Sequence, residues 1–332
     1  MPARLDDLPR VRLGCLPTPV VPLDRLAAAL GGPRLLMKRD DMTGLAFGGN
    51  KTRKLEFLLG RALAEGCDTL VTGGAAQSNH CRQTAAAAAA TGLECHLALG
   101  GEAPATPGGN LLLDHLLGAA VHWCGGERRG ERIPEIADEL RARGRRPYVV
   151  PYGGSNAAGA VGFVAAAFEL AAQLAARGER VDRVVIASSS GGTQAGLAVG
   201  LDLAGLDARL TGIVIDKRGP GEPPYDAALA DLANQVAREV GAVPRYAPGD
   251  FDLRDGYLGD GYGVVGDLER EAIALAARRE GILLDPVYTG RAMGGLVDLV
   301  RRGEVSARET VLFWHTGGTP ALFEHAQDLA GA

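Results

Sequence analysis

The chain reads as an α/β protein built from two open, twisted, parallel sheets. Three observations predict this. Short apolar runs alternate with amphipathic helical stretches through most of the 332 residues, which calls for right-handed βαβ crossovers and sheets covered on both faces. The alternation pauses at Pro151-Tyr152-Gly153-Gly154-Ser155-Asn156 and then resumes, so a second unit begins there. Glycine, at 48 residues, clusters at the ends of the expected strands, where open α/β sheets bind their ligands.

The elements follow in order. Residues 11–24 are an extended, proline-punctuated lead-in, and Leu35–Lys38 is a strand. Arg39–Gly44 is a polar turn leading into Phe47-Gly48-Gly49-Asn50-Lys51. A helix over about 52–65 places Leu55, Leu58, Leu59 and Leu63 on one face. Strand 69–72 leads through Gly73-Gly74 and Gln77-Ser78-Asn79-His80 into an alanine-rich helix. Strand 95–99, helix 110–117, strand 120–124, helix 131–142 and strand 148–150 complete the first series. A long helix over about 158–177 crosses to the second series. That series runs strand 184–187, loop 188–192, helix 193–204 and strand 211–215. A loop-rich segment over 217–262 holds one helix near 225–241, and helices 264–280 and 291–302 and strand 311–314 follow.

Composition narrows the class. Hydrophobic residues at 46% and charged residues at 23% describe an ordinary globular protein, with a core large enough for two domains. A net charge of −5 without a basic run gives no reason to expect nucleic acid. No apolar run is expected to span a membrane, and Met1–Arg10 does not read as a signal peptide. Cys15, Cys67, Cys81, Cys95 and Cys124 are odd in number and lack CxxC spacing. A reducing cytoplasm is therefore the expected location. His122 and Cys124 lie close together, but without a further ligand nearby they make a poor metal site.

Four loops carry the chemistry. Lys51 stands at a helix start beside Arg53 and Lys54, where positive surroundings ease loss of its proton, and such an amine can join an aldehyde. Ser188-Ser189-Ser190-Gly191-Gly192-Thr193 sits between a buried strand and a helix, where free amides and hydroxyls cradle an anion such as a phosphate monoester. It has neither the lysine of a Walker loop nor the spacing of a dinucleotide fold. Gln77-Ser78-Asn79-His80 offers hydroxyl and amide groups for a carboxylate or a phenolic oxygen, although taken alone the stretch fits a plain helix cap by Ser78 or Asn79 better. His315-Thr316-Gly317-Gly318 ends the last strand with a hydroxyl, and Tyr262 and Tyr288 lie in loops that can face a pocket. A lysine, a phosphate cradle and polar loops at the C-terminal ends of parallel strands together fit pyridoxal 5′-phosphate. A non-catalytic protein that binds a phosphorylated metabolite is the competing class, and the lysine fits it poorly.

The motifs GGNKTRKLE, QSNH, SGGTQAG, GYG, DPVYTG and HTGG resemble those of the fold-type II (tryptophan synthase β-like) pyridoxal-phosphate enzymes. The resemblance is to the group of 1-aminocyclopropane-1-carboxylate (ACC) deaminase, D-cysteine desulfhydrase and L-cysteate sulfo-lyase, and it runs from Pro17 to Gly318. It implies that Lys51 is the Schiff-base lysine and that Asn79 meets the ring's phenolic oxygen. Ser190, Gly191, Gly192 and Thr193, helped by Lys54, would hold the phosphate, and Thr316 would face the ring nitrogen. Gln77, Ser78, Asn79 and His80 would surround the substrate carboxylate, with Tyr262 and Tyr288 beside the reacting atoms. The implied large cofactor domain comprises 1–50 and 158–332, and a small domain over 51–157 carries the lysine at its start.

The resemblance also implies a homodimer acting on a small amino acid. Thr289, His80 and Thr316 stand where the cyclopropane deaminases typically carry glutamate, glutamine and leucine, and favour the desulfhydrase and sulfo-lyase side. Phe47 points the other way. Tyr152 and Trp314 are bulkier than expected, which implies a remodelled pocket. The implied reaction is α,β-elimination from a cysteine-like amino acid. L-cysteate cleavage, cyclopropane opening, racemisation and β-replacement are the alternatives.

Overall fold

The computed structural model describes residues 4–330 except 218 and 220, so the first three residues of the charged N-terminal stretch lie outside it. The lead-in reaches β1 (Val20–Pro22), α1 (Asp24–Leu30) and β2 (Arg34–Arg39). Helix α2 (Lys51–Ala64) opens the middle of the chain. It is followed by β3 (Thr69–Ala75), α3 (Asn79–Thr91), β4 (Glu94–Gly100), α4 (Gly109–Leu116), β5 (Ala120–Trp123), α5 (Ile133–Ala142) and β6 (Pro147–Val149). Then come α6 (Ala157–Arg177), β7 (Arg183–Ser188), α7 (Gly192–Ala204), β8 (Arg209–Val214), α8 (Tyr225–Glu239) and β9 (Asp252–Arg254). Helices α9 (Asp267–Glu280) and α10 (Thr289–Arg301) and strand β10 (Thr310–His315) end the main series.

The strands form two sheets. The larger has the order β1-β2-β10-β7-β8-β9, and the smaller β5-β4-β3-β6. Every pairing is parallel except β1 with β2. The small sheet draws its strands from 69–149, and the large one from both flanks of that stretch. Leu70, Leu97, Leu99 and the alanines of α3 fill the core of the small half. Met37, Val185, Ile213 and Phe313 lie in one core layer of the large half, and Leu36, Val184, Ile186 and Leu312 in another, as expected of parallel strands buried on both faces.

Helix α6 ties the halves together by close backbone packing. A Cβ on Gly162 would lie 2.2 Å from the Arg53 carbonyl oxygen, and one on Gly196 would lie 2.2 Å from that of Ala160. Only glycine lets α2, α6 and α7 approach so closely.

Four expectations need correction. Residues 152–177 are long and apolar enough to cross a membrane by length and composition, but most of that stretch is buried inside the protein, where α6 packs on α2, α7 and α8. Leu63 is 41% exposed while Leu55, Leu58 and Leu59 are buried, so the apolar stripe of α2 is a turn shorter than its sequence spacing implies. The short elements β1, α1 and β9 were not expected. Trp314 does not enlarge or block a pocket. It is fully buried in β10, its ring edge faces Phe163, and its Nε1 donates to Asp40 at 2.7 Å.

Candidate active site

The C-terminal ends of the parallel strands of both sheets face one cleft. Lys51, Ser78, Asn79, His80, Tyr152, Gly153, Ser188–Gly191, Thr193, Tyr288 and Thr316 line it. The fold brings these together from segments that are far apart in the chain.

Lys51 is held through its backbone. Residues 46–49 all have positive φ: Ala46 41°, Phe47 68°, Gly48 66° and Gly49 129°. Gly49 is required twice over, because a Cβ there would also lie 2.4 Å from Gln83 Nε2. This tight turn is pinned by Gly49 N to Thr43 Oγ1 (2.8 Å) and Asn50 N to the Thr316 carbonyl (3.0 Å). Arg82 donates to the carbonyls of Ala46 and Gly48. Helix α2 then starts with Thr52 N donating to Gln83 Oε1 at 2.7 Å, which satisfies one of its open amides. Phe47 is 64% exposed and takes no part in lining the cleft.

The electrostatic origin of the lysine's behaviour differs from the expectation. Arg53 does not crowd Lys51 with positive charge; it turns the other way into Asp40 and Glu169. Burial is what lowers the Lys51 amine to about 8. Its Nζ donates to the Gly153 carbonyl at 3.3 Å. Lys54 Nζ donates to the same carbonyl and to Ser155 Oγ, each at 3.0 Å. Burial, then the charge of Lys51, pulls Lys54 well below its ordinary value.

Beside these amines lies the anion cradle. Helix α7 begins at Gly192 without a side-chain cap, after Gly191 at φ 85°. Ser190 Oγ is 2.8 Å from Ser155 Oγ, and Thr193 Oγ1 accepts from Asn50 Nδ2 at 3.1 Å. A Cβ on Gly192 would lie 2.7 Å from Ser155 Oγ and 2.8 Å from Lys54 Nζ. Two buried lysine amines with no carboxylate partner, the start of α7, where Gly192 N donates to Ser155 Oγ at 3.2 Å, and hydroxyls fit a phosphate dianion. Asn50, Gly153 and Ser155 also belong to this site; in the sequence they stand in the loop before Lys51 and in the pause at 151–156, which reads as a boundary between units and not as a ligand loop.

The opposite wall is α3. Ser78 is its N-cap, accepting from Cys81 N at 3.2 Å, and Ser78 also lines the cleft. Asn79 Oδ1 accepts from Asn110 Nδ2 at 2.9 Å, which leaves the Asn79 amide nitrogen to donate into the cleft. His80 Nε2 lies 2.9 Å from Thr72 Oγ1, and its Nδ1 is buried without a partner. Burial, with the nearby lysines, keeps its ring neutral. Gln77 is turned away from the cleft: its amide bonds Gly108 O (3.2 Å) and Asn110 N (2.8 Å), fastening the start of α4.

Tyr288 lines the cleft, and its hydroxyl lies 2.5 Å from that of Tyr262, which stands behind it. Burial raises both phenols above their ordinary value. Asp285 fixes Tyr288 by accepting from the backbone amides of 287, 288 and 289 and from Thr289 Oγ1. Thr289 is thus committed to Asp285. Thr316 is buried at the mouth of β10, and a Cβ on its neighbour Gly317 would lie 2.7 Å from the Gly49 Cα. Tyr152 lines the cleft, and burial pushes its phenol up to about 12. His122 packs on His96, with ring nitrogens 2.9 Å apart, far from this site.

Comparisons with known proteins give the family. Over 329 residues the chain is 45% identical to a D-cysteine desulfhydrase of Klebsiella pneumoniae (strain 342), covering 97% of each. An ACC deaminase homologue of known structure superposes with a TM-score of 0.89 at 39% identity, over 99% of this chain and 97% of that one. A threonine deaminase of Solanum lycopersicum shares the fold, with a TM-score of 0.65 at 17% identity over 98% of this chain and 85% of that one. Residues 11–317 match the pyridoxal-phosphate dependent enzymes as a family. The chain is a pyridoxal-phosphate dependent enzyme of fold type II.

Proposed function

We propose that this enzyme is a lyase that removes the β-substituent of a cysteine-like amino acid, with D-cysteine the first candidate. The products would be pyruvate, sulfide and ammonia. The likeness to a D-cysteine desulfhydrase supports the substrate class. One geometric observation carries the chemistry: the amine of Lys51 shares a cleft with Tyr288, whose hydroxyl is bonded to that of Tyr262.

In this reading Ser190, Gly191, Gly192, Thr193 and Lys54 hold the cofactor phosphate. Lys51 would hold its aldehyde carbon, Asn79 would donate to its phenolic oxygen, and Thr316 would face its ring nitrogen. The bound cofactor supplies an electron sink for charge that develops at the substrate α-carbon. Ser78 and the open amides of α3 bind the substrate carboxylate. Once the substrate's own amine has taken its place, the freed Lys51 amine, which burial lowers to about 8, would be partly unprotonated near neutral pH and would take the α-proton. The phenols stay protonated, and the Tyr262–Tyr288 pair hands a proton to the departing sulfur. Thr316, a neutral hydroxyl, does not force a proton onto the ring nitrogen, which favours prompt loss of the β-substituent over transamination.

The deciding experiment is a visible absorption spectrum of the purified protein before and after D-cysteine, with pyruvate and sulfide assayed in the same cuvette. A cofactor band that shifts as both products appear supports the reading. A shift without products overturns D-cysteine as substrate. The ACC deaminase homologue, at 39% identity, favours a second reading, opening of the cyclopropane ring. Release of 2-oxobutanoate from ACC would decide for it. We also propose a cytoplasmic location, consistent with five free cysteines, and a homodimer, to be tested by sedimentation.

A further inference from the structure

Resting on the elimination reading above, we propose that Arg128 is a positioning residue for Tyr262: reaching across from the small-sheet half, it sets the direction of the phenol, and Asp216 holds it there. The guanidinium carbon of Arg128 lies 4.5 Å from the centroid of the Tyr262 ring, within the range of a cation–π contact. Its Nη2 donates to both oxygens of Asp216, at 3.0 and 3.2 Å. Its Nη1 is buried and has no hydrogen-bond partner, so this edge of the guanidinium is not claimed by a carboxylate.

The two ends of this link belong to different halves. The Arg128 segment is fastened to the end of β4. Gly101 and Gly125 exchange backbone hydrogen bonds (2.6 and 3.1 Å), and a Cβ on Gly100 would lie 2.5 Å from the Arg128 Cβ. Asp216 follows β8 in the large half, and it also takes Arg129 Nη2 at 3.1 Å. Two arginines of one half therefore converge on one carboxylate of the other. Tyr262 belongs to the large half as well. Arg291 anchors its backbone by donating to the carbonyls of Gly261 (3.0 Å) and Val264 (2.8 Å). That anchor fixes where the residue is, but Gly261 and Gly263, both at positive φ, flank it. The ring packs against the apolar core of the large half, and its polar neighbours are Tyr288 and Arg128. A small swing of the ring breaks the 2.5 Å hydroxyl contact with Tyr288, and with it the proton path to the leaving group.

The test uses the cofactor-loaded enzyme labelled with 3-fluorotyrosine. Seven tyrosines give a resolvable fluorine spectrum, and Tyr262→Phe assigns the line of interest. Arg128→Ala and Asp216→Asn are expected to shift and broaden that line, and Arg128→Lys to restore part of it. A Tyr262 line unchanged in Arg128→Ala overturns the proposal, whether or not the enzyme eliminates D-cysteine. If the line moves but no candidate amino acid yields pyruvate, the elimination reading fails and the positioning role stands. With an eliminated substrate, Arg128→Ala should lower kcat about tenfold with little change in KM. The same substitution in a Tyr262→Phe background should then have almost no effect; an equal loss in that background overturns the proposal.

Discussion

The first turn of α2 carries three cations with opposite fates. Arg53 points away from the cleft and is saturated: it donates to both oxygens of Asp40 (2.8 Å each), to both oxygens of Glu169 (3.0 and 2.9 Å) and to Thr18 Oγ1. Lys38 and Trp314 complete that network. Lys51, two residues before, lines the cleft, and Lys54, one after, lies buried beside it; they meet a carbonyl and a hydroxyl but no carboxylate. Burying a charge without a counter-ion is costly. The comparison therefore separates a cation set that holds the fold from one that awaits an anionic ligand.

The largest effect should come from the unpaired set. Lys51→Ala is expected to abolish turnover and change the cofactor absorbance, while circular dichroism stays native, because no fold-stabilising ion pair is lost. Normal turnover in that variant would break the division. Arg53→Met should do the reverse. It strands Asp40 and part of Glu169 in the interior, and the expected loss is about 3–5 kcal/mol of stability, read by urea denaturation of the holoenzyme. A loss below about 1 kcal/mol would mean that the network is decorative. Lys54→Met should leave the fold stable and weaken cofactor binding, by roughly tenfold to a hundredfold for one buried charge-assisted contact. Equilibrium dialysis of the cofactor measures it, and unchanged affinity would remove Lys54 from the phosphate site.

The same contrast explains what was legible in the sequence. The alternation of apolar runs announces two parallel sheets, because period and strand-end glycines are local signals. The residues of the cleft are also legible, since Lys51, Ser190, Gly191 and Tyr288 sit in short motifs at or just before helix starts. The partners that give each residue its role are not. Asp40 and Trp314 are 274 positions apart and share one hydrogen bond; nothing local tells a buried tryptophan from one facing a pocket. Arg53 looks like a charge crowding Lys51 until Glu169, in a different helix, is seen to neutralise it. Gln77 reads as a ligand group until the start of α4 is found to occupy its amide. The three-residue β1 and β9 lack the length to display a period at all. Sequence spacing reports which face a residue is on, and only packing reports what that face meets.

The smallest effect sharpens the comparison through pH. In the cofactor-free protein burial disfavours the charged form of Lys51 and lowers it from its ordinary 10.5 to about 8. Lys54 is lowered in the same direction. Between the folded and unfolded values the unfolded chain holds more protons, so each lysine makes stability rise with pH across that window. The cost of burying its charge is fully present below about 8 and relieved as pH climbs toward 10.5. Each lysine adds at most about 1.4 kcal/mol per pH unit. The measurement is the difference between cofactor-free wild type and Lys51→Met in urea midpoints from pH 7 to 9.5, which removes the background of other titrating groups. Wild type should gain on the variant as pH rises. Loading the cofactor should flatten that gain, since Lys51 would then be engaged by the cofactor and no longer titrate as a free amine. A difference that does not change with pH would show that the two lysines are solvated rather than waiting, and the cleft would then be far wetter than its packing implies.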